Sequence, residues 1–168
     1  MDQSVINFAV YEDGNEYLGM AEVTLPEVNF LTQTISGAGI GGNVEAPMPL
    51  VEAMTMSLTF RTMTKQSMKL STPGRHTIDL RVAQQNEDPV SGTIETVPVK
   101  HIMVLVPKSS KGGTIAPASP SNGSCDFAVR YWKTFIDGKK VREIDPYNYK
   151  CEINGVDYLA DTRKALGK

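Results

Sequence analysis

Apolar and polar residues alternate along most of this chain, which is the pattern of half-buried β-strands. The clearest stretch runs from Met54 to Phe60, with large apolar residues on one parity and threonine or serine on the other. Near the start, an alternating run ends at Asp13-Gly14. This dipeptide favours a two-residue turn, because both central residues take a positive φ. The pattern therefore predicts a hairpin at residue 13, with a return strand that starts at Tyr17.

The second half of the chain continues the alternation. Ile78, Leu80 and Val82 predict one strand, and a polar stretch around residues 86–92 reverses the chain. Thr93–Val106 predicts a long strand that becomes apolar on both parities at its end. A strand end of this kind has to be covered on both faces. We expect the core to cover one face and something else, such as a neighbouring subunit, to cover the other.

Further turn and helix signals follow. Asp137-Gly138 and Asn154-Gly155 each separate two alternating runs and predict tight turns. Thr64–Leu70 predicts two turns of helix before Pro73-Gly74. Asp157–Leu166 carries apolar residues at helical spacing and ends in Gly167, a typical C-cap residue.

Two segments lack periodicity. Pro107–Ser124 is rich in proline, glycine and serine, and it predicts a long loop of about 18 residues inside the domain rather than a linker, because strands resume directly after it. Ser36–Pro49 predicts an extended flexible loop, since it has many glycines and then two prolines. We therefore expect one domain over residues 1–168. It should be mainly β, an antiparallel β-sandwich or barrel of about eight strands with one or two short helices.

Composition excludes several classes of protein. The 168 residues are 40% hydrophobic and 21% charged, which fits one domain with its own core rather than a disordered chain. The longest apolar run, Ile102–Val106, is far shorter than the roughly 20 residues that cross a bilayer, so no membrane anchor is expected. The chain starts without a basic segment, which predicts a protein that stays in the cytoplasm where it is made. Cys125 and Cys151 are expected to be free thiols.

Charge is distributed unevenly. Residues 1–60 hold eight acids and no lysine or arginine, and the first cation is Arg61. Residues 61–168 hold 17 cations and 11 acids. This asymmetry suggests either a polar partner or an assembly in which an acidic face meets a basic one. The alternative is that the fold mixes both halves into one neutral surface. Neither arrangement provides the concentrated basic patch of a nucleic-acid clamp.

Catalytic and metal signatures are absent. Gly37, Gly39 and Gly42 satisfy G-x-G-x-x-G literally, but no helix can open there, so no cofactor site is expected. The two histidines and two cysteines lie about 25 residues apart, whereas zinc ligands come in close pairs. No nucleophile elbow supports a catalytic triad. We therefore expect no catalytic, cofactor or metal residues and interpret the chain as a non-enzyme.

The C-terminal third carries a resemblance. The stretches Val141-Arg-Glu-Ile-Asp145, Tyr149-Lys-Cys-Glu-Ile-Asn-Gly-Val-Asp157 and Thr162-Arg-Lys-Ala-Leu-Gly167 are similar to the end of the major tail tube proteins of contractile-tailed phages and phage-tail-like bacteriocins. The hairpin Thr134-Phe-Ile-Asp-Gly138 and the loop Gly37–Gly42 resemble the same family. The resemblance covers nearly the whole chain in the same order.

This resemblance implies a β-barrel-like subunit that forms homohexameric rings stacked into a hollow tube. The implied partners are other copies of the chain, a contractile sheath protein, a baseplate tube initiator and a tape-measure protein. DNA would pass through the lumen without specific binding, or the tube would puncture an envelope. The protein would be assembled in the bacterial cytoplasm and would end in a virion, a prophage-derived particle or another tail-like particle.

Within this family, three groups of residues are expected to matter. Gly37, Gly39 and Gly42, with Ile40, would give a loop the positive-φ freedom to reach an adjacent subunit or ring. Asn154 and Gly155 would position a C-terminal contact segment, in which Arg163 is available for an acidic neighbour and Asp157 lies nearby. A lumen that lets DNA slide should avoid cations, so part of residues 1–60 would line it. The candidate lumen-facing acids are Glu22, Glu45 and Glu52.

Two rival functions remain open at this level. A carbohydrate-binding β-sandwich would expose Trp132 with tyrosines on a flat face. A small β-barrel hydrolase would need His76 or His101 as its base.

Overall fold

The computed structural model describes all 168 residues and consists mainly of antiparallel β-structure, as predicted. Its strands are β1 (Asp2–Glu12), β2 (Asn15–Glu16), β3 (Met20–Thr24), β4 (Phe30–Ile35), β5 (Val44–Val51), β6 (Met54–Phe60), β7 (His76–Glu87), β8 (Ile94–Lys111), β9 (Gly123–Ile136), β10 (Lys139–Asp145), β11 (Lys150–Ile153) and β12 (Val156–Asp157). The helices are α1 (Lys65–Leu70) and α2 (Ala160–Ala165). Neither helix has the length and apolar character needed to cross a membrane.

Ten strands form one open sheet. Eight of them follow a continuous path in the order β12-β11-β10-β9-β8-β7-β1-β2. The long strand β9 also pairs with β6 through its first half, on the edge that β10 uses through its second half, and β6 pairs with β3. The sheet thus curls around a core like a sandwich and does not close into a barrel, which leaves strand edges free.

The core lies between the inner faces of β1, β6, β7, β8 and β9. Met56, Leu58, Ile78, Met103 and Phe127 are completely buried there. Burial of each such side chain stabilises the fold by about 1.5 to 3 kcal/mol. The strict alternation of β6, with every second residue buried, confirms the period of two seen in the sequence.

The three predicted turns are present. Asp13, Asp137 and Asn154 take φ values of 51°, 51° and 53°, and the glycine after each also has a positive φ. The return strand after the first turn is short, however: β2 ends at Glu16, and the chain then crosses to pair β3 with β6. Helix α1 begins after Thr64, whose hydroxyl oxygen accepts from the Ser67 backbone N–H at 3.1 Å.

Two loop predictions need correction. Residues 44–51 form strand β5 and are not part of a flexible loop. Pro47 and Pro49 are tolerated because β4 and β5 pair only with each other, so both are edge strands. Proline has no backbone N–H, and an edge strand has no second neighbour that needs this donor. The predicted loop at 107–124 is shorter, since β8 continues to Lys111 and β9 begins at Gly123, paired across a bulge. Only residues 112–122 are irregular.

Candidate assembly interface

The β4–β5 hairpin stands apart from the main sheet. All six residues of β4 are exposed, and no other strand pairs with either member of the hairpin. Because side chains alternate across a strand, one face of the hairpin carries mostly apolar residues and the other carries threonine, proline and glutamate. The exposed members of this apolar hairpin face are Leu31, Ile35, Val44 and Met48.

The tip of the hairpin is the glycine-rich loop that the sequence singled out. Gly37 and Gly39 have φ values of 145° and 89°, and Ile40 donates its backbone N–H to the Gly37 carbonyl at 3.2 Å. Gly42 does not take a positive φ, contrary to the prediction. Ile40 itself is 40% exposed. The loop therefore presents an apolar residue at the end of a projecting arm.

The base of the hairpin packs beside the C-terminal strands. Phe30, Pro47 and Met48 face Cys151 and Tyr158 across an apolar groove. The backbone N–H of Glu52 donates to the Asn29 carbonyl at 2.7 Å and closes the base. The arm is thus fixed at one end and free at its tip.

The C-terminal segment is held by a contact within the chain. The turn at Asn154 and Gly155 brings Asp157 beside Arg163, with Nη2 and Oδ2 2.5 Å apart. Arg163 Nη1 also donates to the Tyr149 carbonyl at 2.7 Å. The hydrogen bond from Arg163 holds the pKa of Asp157 below its usual range. The turn thus supplies Asp157 as a partner for Arg163 within the subunit, and a contact of Arg163 with an acidic neighbour stays a prediction.

The pair of Glu12 with His76 is the one ion pair that joins the acidic first part of the chain to the basic remainder. Apart from Glu12, which contacts His76, none of the acids in residues 1–60 forms a salt bridge. The candidate lumen acids Glu22, Glu45 and Glu52 are all exposed. The remaining pairs lie within residues 79–163, for example Lys140 with Glu143 at 3.0 Å. The acidic surface is therefore not neutralised inside the subunit.

Both histidines have structural surroundings. His76 Nδ1 lies 2.8 Å from Glu12 Oε1, and its Nε2 lies 2.8 Å from the Thr72 carbonyl oxygen. Tyr17 donates its hydroxyl to the other oxygen of Glu12. His101 Nδ1 accepts from Trp132 Nε1 at 3.1 Å. The hydrolase interpretation would need one of these rings to activate a nucleophile. Both rings are instead buried and hydrogen-bonded to neighbouring residues of the fold.

The comparisons with known proteins point the same way as the geometry. The sequence model of the family "Phage tail tube protein FII" matches residues 2–167. The chain belongs to the phage tail tube protein FII family. It is therefore a structural tail tube subunit rather than an enzyme. The tail tube protein of Escherichia phage P2 is 26% identical over 162 residues, which cover 94% of this chain and 93% of that protein.

A solved structure shows the same fold. It is a chain from the structure described as "an Extracellular Contractile Injection System, PVC sheath/tube terminator in extended state". The match has a TM-score of 0.53 at 11% identity and covers 77% of this chain and 94% of that one. The similarity spans almost the whole of the other chain, so this tail tube protein shares its architecture and not merely a sheet fragment.

The carbohydrate-binding alternative loses its main support. Trp132 is only 3% exposed, with the Arg142 guanidinium 4.7 Å above its ring. A sugar cannot stack on a ring in this position. Trp132 is thus a core residue of the tail tube protein.

Sequence reasoning missed two features of the structure. The strand β5 was hidden by its prolines, although the alternation of Val44, Ala46 and Met48 was a usable signal. The cluster of Glu12, Tyr17 and His76 joins positions up to 64 residues apart, and no local pattern marks it.

Proposed function

We propose that this protein is the inner tube subunit of a contractile tail, in which homohexameric rings stack around a continuous channel. The channel would carry DNA in a phage, or the tube would puncture an envelope in a DNA-free particle. Further proposed partners are a sheath protein outside the tube, a baseplate initiator at one end and a tape-measure protein inside. Assembly would take place in the bacterial cytoplasm.

The observation that carries this proposal is the unpartnered β4–β5 hairpin. Its apolar face is open to solvent in the single subunit, and its tip carries the loop with Gly37, Gly39, Ile40 and Gly42. A contiguous apolar surface on an arm marks an interaction site. Contact with an adjacent subunit or ring would bury it.

Free strand edges support the same proposal. The edge of β1 that faces away from β7 pairs with β2 only at Tyr11 and Glu12. Residues 3–9 thus keep an unpaired backbone edge, and this stretch includes the exposed Val5 and Ile6. Such an edge is a template for pairing with another chain, and an assembled ring would cover it.

The exposed acids suggest which surface lines the channel. Glu22, Glu45 and Glu52 have no cation partner within the chain. A channel lined by such residues would repel phosphates and so avoid the counterion-release affinity that holds DNA on basic surfaces. A map of the assembled tube tests this, and a lumen dominated by lysine and arginine would contradict it.

The first test is light scattering of the purified protein at increasing concentration, followed by negative-stain electron microscopy. We expect rings or hollow tubes. The matched variant replaces residues 34–45 by Asn-Gly, which joins the paired residues Gln33 and Ala46 by a two-residue turn. It should keep the far-UV circular dichroism of the wild type and remain monomeric. A variant that forms rings or tubes as readily as the wild type would contradict the proposed contact through the hairpin.

A further inference from the structure

The turn between β7 and β8 forms an acidic surface with two exposed apolar side chains. Residues 82–99 contain three acids and no lysine or arginine, and β1 adds a fourth acid beside Asn86. None of these carboxylates forms a salt bridge. Val90 at the apex is 94% exposed, and Ile94 is 61% exposed. We call this surface the acidic tip; its acids are Asp2, Glu87, Asp88 and Glu95.

Hydrogen bonds hold the acidic tip in one shape. Asp88 Oδ1 accepts from the Val90 N–H at 2.9 Å, and the Asp88 N–H donates to the Thr93 carbonyl at 2.9 Å. The bond from Val90 holds the pKa of Asp88 below its usual range, so this carboxylate is charged at neutral pH. The amino group of Met1 is the one positive group of the tip, and it donates to Asn86 Oδ1 at 2.8 Å. The tip therefore presents Val90 in a fixed, net negative setting.

The other end of β8 lies beside a surface of the opposite charge. Helix α1 covers this end of the core with Leu70, while Met63 and Met68 are 62% and 45% exposed. A notch between α1 and the ends of β8 and β9 has no carboxylate in its lining. We call α1, the loop before it and this notch the basic notch. Its exposed cations, none of which forms a salt bridge, are Arg61, Lys65, Lys69 and Lys111.

Acids on the neighbouring strands do not cancel this positive charge. Asp126 on β9 already accepts from the hydroxyls of Ser57 and Ser109. Arg75 and Lys108 bring the cations at this end of the sheet to six. The acids there that lack an ion pair are four: Asp13, Glu16, Glu22 and Asp126. This end as a whole therefore stays positive, and its exposed apolar residues lie among the cations.

We infer that the acidic tip of one copy of the chain docks on the basic notch of another copy. The inference rests on the proposed self-assembly and adds a contact distinct from that of the β4–β5 hairpin. Docking brings Val90 and Ile94 to Met63 and Met68, so apolar surface leaves water on both partners. The acids of the tip then face cations that have no partner within their own subunit.

The position of the two surfaces determines how the contact propagates. They lie at opposite ends of β8, whose 18 residues, at a strand rise of about 3.3 Å each, put them far apart. A copy therefore cannot seat its tip on its own notch. Each copy donates one tip and accepts one, so the contact is heterologous and extends along the direction of β8. Rings that stack head to tail need a contact of this kind.

Cross-linking between single-cysteine additions tests the contact. One full-length variant carries Val90→Cys at the tip, and a second carries Met68→Cys at the notch. A concentrated mixture treated with a short bismaleimide should give a cross-linked dimer of one copy of each, identified by mass spectrometry of the linked peptides. The placement control mixes Val90→Cys with Thr55→Cys, which is exposed at the end of β6 far from α1. Val90→Cys mixed with wild type reports the background from the buried Cys125 and Cys151.

The outcomes separate this inference from the proposed function. A dimer with Met68→Cys and none with Thr55→Cys supports the docked tip. Absence of the Met68 cross-link at every protein concentration overturns the inference, and rings or tubes in the same sample leave the proposed function standing. A cross-link in particles that negative stain shows to be neither rings nor tubes would keep the contact and overturn the proposed stacking.

A charge swap gives a second measurement on the same contact. Lys65→Glu and Glu95→Lys each place like charges at the contact, so each should raise the concentration needed for assembly about tenfold. The double variant should return to the wild-type concentration, because every altered tip then meets an altered notch. Lys65 lies in the first turn of α1, where an acid suits the helix dipole, so the fold is kept.

The matched control for the swap is Lys164→Glu. It makes the same charge change at an exposed lysine of α2 that forms no ion pair. Losses equal to that of the control, or a double variant that assembles no better than the single ones, would overturn the inference.

Duplex DNA is the other class of partner that a basic surface can take. It would engage the cations through its phosphates but would leave Met63 and Met68 exposed. We expect that Lys65→Glu weakens assembly and that the wild-type subunit does not bind a labelled duplex. Duplex binding that Lys65→Glu abolishes, with assembly unchanged, would make the notch a nucleic-acid surface and overturn the inference.

Discussion

The two histidines differ in the protonation state that their surroundings favour. Burial lowers the pKa of His76, but the Thr72 carbonyl and the Glu12 carboxylate outweigh it, so the pKa of His76 is raised. Both ring nitrogens face acceptors, and only the protonated ring can donate to both. His101 has the reverse arrangement: burial lowers its pKa, and Arg142 lowers it further. Its Nδ1 accepts from the Trp132 N–H, which requires an unprotonated nitrogen.

His76→Gln should cost more stability at low pH than at high pH. A histidine whose pKa is raised by folding contributes stability that is complete below its ordinary pKa of about 6.5 and disappears as the pH rises through the folded value. We expect a loss of about 1.5 to 3 kcal/mol at the acidic end, the magnitude of hydrogen bonds to charged groups. Denaturant unfolding of wild type and variant between about pH 5 and pH 9 measures it. A difference that grows with pH would contradict this account.

His101→Gln is the matched control and should show the opposite trend. Folding lowers the pKa of His101, so its unfolded form takes up protons first as the pH falls below about 6.5. The stability that His101 contributes should therefore shrink toward acidic pH. The same unfolding series checks this, and a contribution that increases on acidification would show that His101 is charged in the folded protein.

At the scale of secondary-structure elements, the tight turns set strand register. Asp137 and Gly138 both take positive φ in the turn between β9 and β10, and a Cβ at Gly138 would contact nothing within 4 Å. The requirement there is thus conformational rather than steric. Gly138→Ala should destabilise the protein by about 1 kcal/mol and lower Tm by about 2 to 4 °C.

Gly112→Ala provides the comparison for this prediction. Gly112 lies in the irregular segment, has no positive φ and also has open space around its Cα. Its replacement by alanine should leave Tm unchanged or raise it slightly. Equal Tm losses for the two alanine variants would mean that the φ of Gly138 is not what stabilises the turn.

Sequence patterns predicted elements well where local chemistry decides them. The Asp-Gly and Asn-Gly turns, the short helix predicted over Thr64–Leu70 and the alternation of β6 all depend on neighbouring residues. The patterns failed where pairing decides, as in β5 with its two prolines and in the end of β8 beyond Pro107. Those residues are strands because a partner lies beside them, which composition alone does not reveal.

At the scale of the whole molecule, charge separation has a measurable effect on association. The acids of residues 1–60 other than Glu12 lack ion pairs, and the cations of the remainder are in excess. If unlike surfaces meet in the tube, salt should weaken assembly, because the Debye length falls from about 10 Å at 0.1 M to about 3 Å at 1 M. We expect the concentration needed for tube formation to rise several-fold over that range.

The reverse salt dependence would identify a different driving force. Sulfate strengthens apolar burial because it is excluded from protein surfaces, so ammonium sulfate and sodium chloride at equal ionic strength serve as paired conditions. Assembly that strengthens in both salts would show that apolar burial drives association and that the uneven charge distribution has no role.

Function was predicted from the sequence to the level of the family, through the C-terminal stretch that ends at Gly167. The candidate contact residues were predicted only as positions. Gly37, Gly39 and Ile40 do lie on an exposed arm, whereas Arg163 is occupied by Asp157 through a turn that brings them together. A contact between residues of different elements depends on the folded path, and sequence spacing does not encode it.

The way the hairpin joins the sheet also governs when its conformational freedom is lost. Thr24 of β3 lies opposite Ser57 of β6, so the arm leaves the main sheet and re-enters it at the same place. No strand of the main sheet pairs with the arm, which therefore forms a separate cooperative unit. Its backbone amides should exchange hydrogen quickly in the free subunit and slowly in the tube. Most of the entropy cost of ordering the arm then falls on association. The first ring should therefore form slowly and later rings should add quickly onto a docking surface that already exists.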